Sequence, residues 1–138
     1  MKRWLAALWV LILSAGALAA PQDAGDLYAR SGAYTEADRL YREALAQTKD
    51  PTVRRILLQR RLAVAQVQND IPTALALVGE LEGMLRQSPD PEVELRVRLV
   101  QGALAYRMGQ VGRSRDAFQK AEGVAARMSG PGAALARY

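Results

Sequence analysis

One arrangement of residues recurs three times along the 138-residue chain and restricts the folds that it can adopt. Each copy is centred on a residue that tolerates a left-handed backbone, namely Gly32, Asn69 or Gly109. The spacings are 37 residues (from 32 to 69) and 40 residues (from 69 to 109). Self-similarity at such a period indicates a series of similar helical units.

The residues that follow each of these positions share a pattern of sizes. A small residue comes first, a large apolar residue stands four positions later, and another small or apolar residue follows after three more. The three sets are Ala37, Tyr41 and Ala44; Ala74, Val78 and Leu81; and Ser114, Phe118 and Ala121. Spacings of three and four place the members of each set on one face of a helix.

Small residues also stand before the repeated positions. The patterns are Gly25-x-x-Tyr28, Leu62-x-x-Ala65 and Gly102-x-x-Ala105. Small side chains let two helix axes approach closely, while large side chains fill the space beside them. Each copy therefore predicts an antiparallel helix pair, and we expect Gly102 and Ala105 to face a neighbouring helix at close range.

Proline and the residue before it mark several helix starts. Asp50-Pro51 and Asp90-Pro91 each combine an N-cap residue with proline in the first turn, and Pro72 has the same role at another start. The predicted helices are 22–31, 34–48, 51–68, 72–87, 91–108 and 111–128. Within the fifth, residues 93–100 alternate like a strand, but the i,i+4 pairs Glu92–Arg96 and Glu94–Arg98 favour a helix.

This pattern resembles the tetratricopeptide repeat. The family has Gly-x-x-Tyr in a first helix and Ala-x-x-x-Phe followed by Ala in a second, with a period of about 34 residues. The resemblance covers residues 22–128, with Leu62 in place of one glycine and a longer period. It implies an all-α fold, a short right-handed solenoid of three antiparallel helix pairs.

In the tetratricopeptide family the first helices line a concave groove that binds a peptide or protein. By resemblance the groove would be lined by Asp26, Arg30, Gln59, Gln66, Arg96, Leu99, Tyr106 and Arg107. Tyr and Arg are enriched among residues that dominate binding energies, which makes Tyr106 and Arg107 the best candidate anchors. Ala63 and Ala103 stand where the asparagines of the family's carboxylate clamp would be, so that clamp is not implied.

The first nineteen residues have the pattern of a secretory signal peptide. Lys2 and Arg3 precede an apolar stretch, and Ala17-Leu18-Ala19 has the small-x-small form of a cleavage site. We expect a signal peptide at 1–19, a tetratricopeptide-like domain at 20–128 and a flexible or docking tail at 129–138. The alternative is a retained membrane anchor at residues 4–20, which would be about 26 Å long against a bilayer core of about 30 Å.

Composition excludes several kinds of chemistry. The chain has no His and no Cys, which removes the commonest general base, the commonest transition-metal ligand and any disulfide. We therefore predict no catalytic residue, metal site or cofactor. Without Lys2 and Arg3 the formal net charge falls from +5 to +3, and the Arg residues are interspersed with acids, which is not the pattern of a nucleic-acid-binding surface.

These observations predict an exported, non-enzymatic protein-interaction module that acts as an adaptor or assembly factor in the periplasm or cell envelope. One alternative is a membrane-tethered subunit of a multiprotein complex of the envelope. An alternative of another class is a small hydrolase that uses carboxylates, although the acidic residues are scattered over the sequence. The sequence does not identify the partner.

Two arginine doublets on one predicted helix form a candidate basic patch, which consists of Arg54, Arg55, Arg60 and Arg61. Guanidinium groups bind carboxylates and phosphates with two parallel hydrogen bonds, so the patch could recognise an acidic partner. The alternative is a solvated helix face whose long side chains cover apolar surface.

The last predicted helix has no capping helix after it, although stacked repeats usually end in one. The Gly-Pro-Gly segment at 130–132 should interrupt the helix, and only six residues follow it. A partly uncovered apolar stripe is expected at Phe118, Val124 and Met128. Either Leu135 and Tyr138 fold back over this stripe, or a partner or second copy of the chain covers it.

Overall fold

The computed structural model describes the backbone of residues 20–134 and the side chains of residues 20–130. The predicted signal peptide or anchor therefore lies outside the described residues, as do Leu135 and Tyr138. The described elements are all α-helices, which confirms the predicted all-α class. They are α1 (Asp23–Arg30), α2 (Tyr34–Gln47), α3 (Pro51–Val67), α4 (Ile71–Gln87), α5 (Pro91–Arg107) and α6 (Val111–Ala134). Within the described part of the chain, no helix combines the length and the hydropathy that crossing a membrane requires.

The described chain divides into two compact units, residues 20–60 and residues 61–134. In the first unit α1 packs against α2, and the N-terminal part of α3 belongs to the same unit. In the second unit α5 packs against both α4 and α6, and its contact with α6 is the more extensive. Each unit thus contains a helix pair of the predicted kind.

Three turns in the chain have the same backbone geometry. Gly32, Asn69 and Gly109 have positive φ values of 82°, 55° and 75°. In each turn the next residue donates its N–H to a carbonyl five positions earlier, as in Ala33 to Tyr28, at 2.8–2.9 Å. This is the Schellman arrangement, which satisfies carbonyls at the end of a helix and needs a residue that accepts the left-handed region. The left-handed backbone predicted at these three positions is confirmed.

The predicted caps also form. The Asp90 carboxylate accepts hydrogen bonds from the backbone N–H groups of Glu92 and Val93, and Asp50 accepts one from Thr52. Asp70 also caps α4, by accepting from the N–H of Thr73, although only Pro72 was predicted to mark this helix start. The Thr73 side chain, and then its backbone N–H, lower the pKa of the Asp70 carboxyl. Such caps satisfy N–H groups that have no partner inside the helix.

Two glycines allow close contact between paired helices. A Cβ atom built on Gly25 would lie closer than 3.0 Å to ring atoms of Tyr41, and one on Gly102 would lie equally close to the ring of Phe118. A side chain at either position would fit only if the neighbouring ring moved. The predicted close approach at Gly102 is confirmed, and Ala105 is buried beside it.

The end of α6 differs from the prediction. The helix was expected to stop at residue 128, but it continues to Gly130, where φ 55° and ψ 175° leave the helical region. The interruption predicted for the Gly-Pro-Gly segment is therefore confirmed at Gly130. The helical assignment then resumes as far as Ala134.

Candidate functional site

The predicted groove residue Asp26 has partners inside the first unit. Its carboxylate accepts a hydrogen bond from the hydroxyl of Tyr41 and forms an ion pair with the Nε of Arg60 at 3.2 Å. Burial, and then the hydrogen bond to Asp26, raise the pKa of Tyr41 far above its ordinary value. A buried phenol needs an acceptor, and Asp26 supplies it. These two contacts cover most of the Asp26 carboxylate, and its role in binding a partner stays a prediction.

The other groove candidates of the first unit make local contacts. Arg30 is exposed, and its Nε donates to the backbone carbonyl of Asp26 at 3.3 Å. Gln59 is half-buried, and its Nε2 donates to the carbonyl of Arg55 at 3.2 Å. Only Arg30 of these two presents its side chain mainly to solvent.

The second unit presents a continuous set of predicted groove residues on α5. Arg96, Leu99, Tyr106 and Arg107 are all exposed, and Tyr106 is the most exposed large apolar side chain described, at 70%. Successive members of this set are three, seven and one residues apart, which places all four on one side of the helix. The opposite side of α5 carries the buried Val97 and Leu104, which hold the helix in place.

A hydrogen bond fixes the position of Arg107. Its NH1 donates to the Oδ1 of Asn69 at 3.1 Å, so the C-terminal end of α5 lies beside the turn that follows α3. Gln66, the remaining groove candidate, is half-buried on α3, whereas its neighbour Val67 is exposed. The structure thus brings Arg107 together with the end of α3, and an exposed apolar side chain lies on that helix end.

The arginine patch does not consist of four solvent-facing guanidinium groups. Arg54 is half-buried, and its NH1 donates to the carbonyls of Leu45 and Thr48 at 3.0 and 3.2 Å, which satisfies the C-terminal end of α2. Arg60 pairs with Asp26. Arg55 and Arg61 are half-buried and also have interaction partners. Arg54 therefore stabilises a helix end, and recognition of an acidic partner by this patch stays a prediction.

A cleft of about 440 Å³ lies in the second unit on the side of α5 away from the groove candidates. One wall is formed by Arg98, Gln101 and Ala105 of α5 and by Met108, which directly follows α5. Further residues come from α4 and α6, and they include Glu82, Arg113 and Lys120. The sequence interpretation did not identify this cleft. The i, i+3, i+7 and i+10 spacing of these four residues was the available signal.

A polar network joins α4 to α5 at the cleft. Arg98 NH1 lies 3.4 Å from Glu82 Oε2 and donates to Gln101 Oε1 at 2.9 Å, while Gln101 Nε2 donates to Glu82 Oε1 at 2.9 Å. The predicted Glu94–Arg98 pair is therefore wrong, and Glu94 lies 3.7 Å from Arg127 of α6. Glu82 and Glu94 thus each pair with an arginine of a neighbouring helix.

The predicted stripe on α6 is only partly uncovered. Phe118 and Met128 are exposed as expected, but Val124 is 2% exposed and belongs to the core. Val124 shares a face with Ala117 and Ala121, which are also buried, and α6 packs extensively on α5. The expectation that Val124 is partly uncovered was wrong, because its side chain lies on the side of α6 that faces α5.

No three His, Cys, Asp or Glu side chains of the described residues are close enough together to hold a metal ion. No protein-family model matches the chain, and neither a curated protein nor a solved structure is significantly similar to it.

Proposed function

We propose that this chain is a non-enzymatic protein-interaction module of the tetratricopeptide-like class. The proposal includes a series of three helix pairs arranged as a short right-handed solenoid. The main support for a binding role is that Leu99, Tyr106 and Arg107 are exposed on one side of α5. The three equivalent turns and the two close glycine–ring contacts support the repeat interpretation.

The α5 face has the properties of a preorganised binding surface. Val97 and Leu104 are buried on the other side of α5 and hold the helix in place. The backbone that carries the exposed side chains therefore needs little ordering on binding. A tyrosine contributes a large apolar area with only two side-chain torsions, and an arginine binds carboxylates bidentately. The surface is therefore suited to a peptide or protein segment that combines an apolar side chain with a carboxylate.

Variants of the α5 face test this proposal. Protein carrying Tyr106→Ala or Arg107→Ala is used to capture binding proteins from an envelope extract, beside the unchanged protein. Arg86→Ala, at an exposed site in the last turn of α4, is the matched control. We expect both α5 variants to lose a protein that the unchanged chain and the control retain. Identical capture by all four proteins would contradict the proposal.

We propose further that the module acts in the periplasm or cell envelope after export. The support is the sequence pattern of residues 1–19, with its basic start, apolar stretch and small-x-small site. In the alternative, the same apolar stretch stays attached and tethers the module to the membrane as a subunit of an envelope complex. Determination of the N-terminal residue of the isolated protein distinguishes the two, since a chain that starts at residue 20 has lost its anchor.

A further inference from the structure

Helix α6 presents a seam of apolar residues at intervals of seven. Val111 is 57% exposed, Phe118 is 40% exposed and Ala125 is half-buried. A spacing of seven returns to nearly the same side of a helix, as in the seam of a coiled coil. The seam lies at the edge of the face that packs on α5.

One side of the seam is covered by α5. Ser114 and Ala121 stand three positions after Val111 and Phe118, and both are small and buried. The ring of Phe118 lies low on the surface, because it rests against the backbone of Gly102. These small residues let α5 approach α6 closely, so the part of the seam open to a further helix consists of Val111 and the exposed part of Phe118.

Two opposite charges flank this seam. Arg115 follows Val111 by four positions and Glu122 follows Phe118 by four, so both stand on the same side of the seam. Both side chains belong to exposed residues, and neither has an ion pair or hydrogen bond among the described residues. They are separated by seven positions, about 10.5 Å along the helix, which is too far for them to pair with each other.

We propose that two copies of the chain associate through α6 in antiparallel orientation, with Arg115 of each copy paired with Glu122 of the other. A two-fold axis near Phe118 exchanges the two flanking positions between copies, and an isologous contact needs this self-complementarity. Charges beside an apolar seam determine the partner and the orientation of a helix pair. In a parallel arrangement these charged positions of the two copies would lie on opposite sides of the interface, where Arg115 and Glu122 do not meet.

Charge reversal tests the contact between copies. Arg115→Glu alone and Glu122→Arg alone each place like charges at both pairing sites of the dimer. Each should weaken dimerisation about tenfold, since two exposed pairs are replaced by repulsion. The double variant Arg115→Glu/Glu122→Arg restores opposite charges and should regain most of the affinity.

Light scattering over a range of concentrations measures the mass of each protein, purified from cells that express the full sequence. Lys120→Glu is the control, because Lys120 is an exposed residue of α6 that lines the cleft instead of the seam. It should leave the dimer unchanged, and circular dichroism should show the same helix content for every variant. A wild-type protein that stays monomeric would overturn the proposal, as would a double variant no tighter than the single ones. Loss of partner capture by Tyr106→Ala in such a monomer would leave the proposed function intact.

Discussion

The first and last helix pairs are built on the same pattern, but their aromatic residues have different surroundings. Tyr41 in α2 is 1% exposed, and its hydroxyl bonds to Asp26. Phe118 in α6 lies against an equivalent glycine, yet 40% of it is exposed. Arg60 of α3 reaches Asp26 in the first pair, whereas Phe118 has no polar atom to satisfy. The comparison shows that the glycine–ring contact forms with or without further cover over the ring.

The largest expected effect concerns the glycines beneath the two rings. Gly25→Ala places a methyl group within 3.0 Å of the buried Tyr41 ring, which has no space to move. We expect it to lower the free energy of unfolding by about 2–3 kcal/mol. Gly102→Ala should cost only about 1 kcal/mol, because the half-exposed Phe118 ring can tilt towards solvent. Denaturant unfolding of both variants measures the difference.

A glycine in open space provides the control for this pair. Nothing lies within 4 Å of a Cβ built on Gly123, which is also helical. Gly123→Ala should therefore stabilise the protein by up to about 1 kcal/mol, through helix propensity alone. Equal losses at Gly25 and Gly102 would mean that the cover over the two rings makes no difference to stability.

The sequence predicts features that depend on local backbone preferences. Gly32, Asn69 and Gly109 were found because a left-handed helix end requires particular residue types wherever it occurs. The role of Asp26 was missed, because it depends on a hydroxyl fifteen positions away in another helix. The Glu94–Arg98 prediction failed for a related reason. Sequence spacing identified Arg98 as the local partner of Glu94. Helix packing instead places Arg98 beside Glu82 and Glu94 beside Arg127.

A reciprocal exchange of the two rings tests the polar difference between the pairs. Tyr41→Phe removes the hydroxyl that donates to Asp26. We expect the free energy of unfolding to fall by about 1–2 kcal/mol, because a hydrogen bond to a charged group is lost. Phe118→Tyr adds a hydroxyl at the edge of an exposed ring, where water satisfies it, so stability should change by less than about 0.5 kcal/mol. Thermal unfolding of the two variants beside the wild type measures both effects. A neutral Tyr41→Phe would show that the buried hydroxyl adds nothing.

Alkaline pH provides a second measure of the same contact. The pKa of Tyr41 is raised in the folded state above the ordinary value of 10.0. The stability that this difference provides is complete below pH 10 and decreases as the pH rises further, since the unfolded chain then loses the proton more readily. Tyr41→Phe should remove this part of the pH dependence. The same decrease in both proteins would assign it to other groups.

The smallest expected effect compares the small residues at the start of the two second helices. Ser114 of α6 is buried, and its hydroxyl donates to the carbonyl of Gly102 at 2.8 Å, whereas Ala37 occupies the equivalent position of α2. Ser114→Ala should cost about 1 kcal/mol, the usual net value of one internal hydrogen bond. If the two pairs share their backbone geometry, a hydroxyl at position 37 can donate to the carbonyl of Gly25 in the same way. Ala37→Ser should then change the free energy of unfolding by less than about 0.5 kcal/mol, since the buried hydroxyl is satisfied. A loss of more than about 2 kcal/mol would mean that the hydroxyl is buried without a partner, and that the two pairs differ in spacing despite their common pattern.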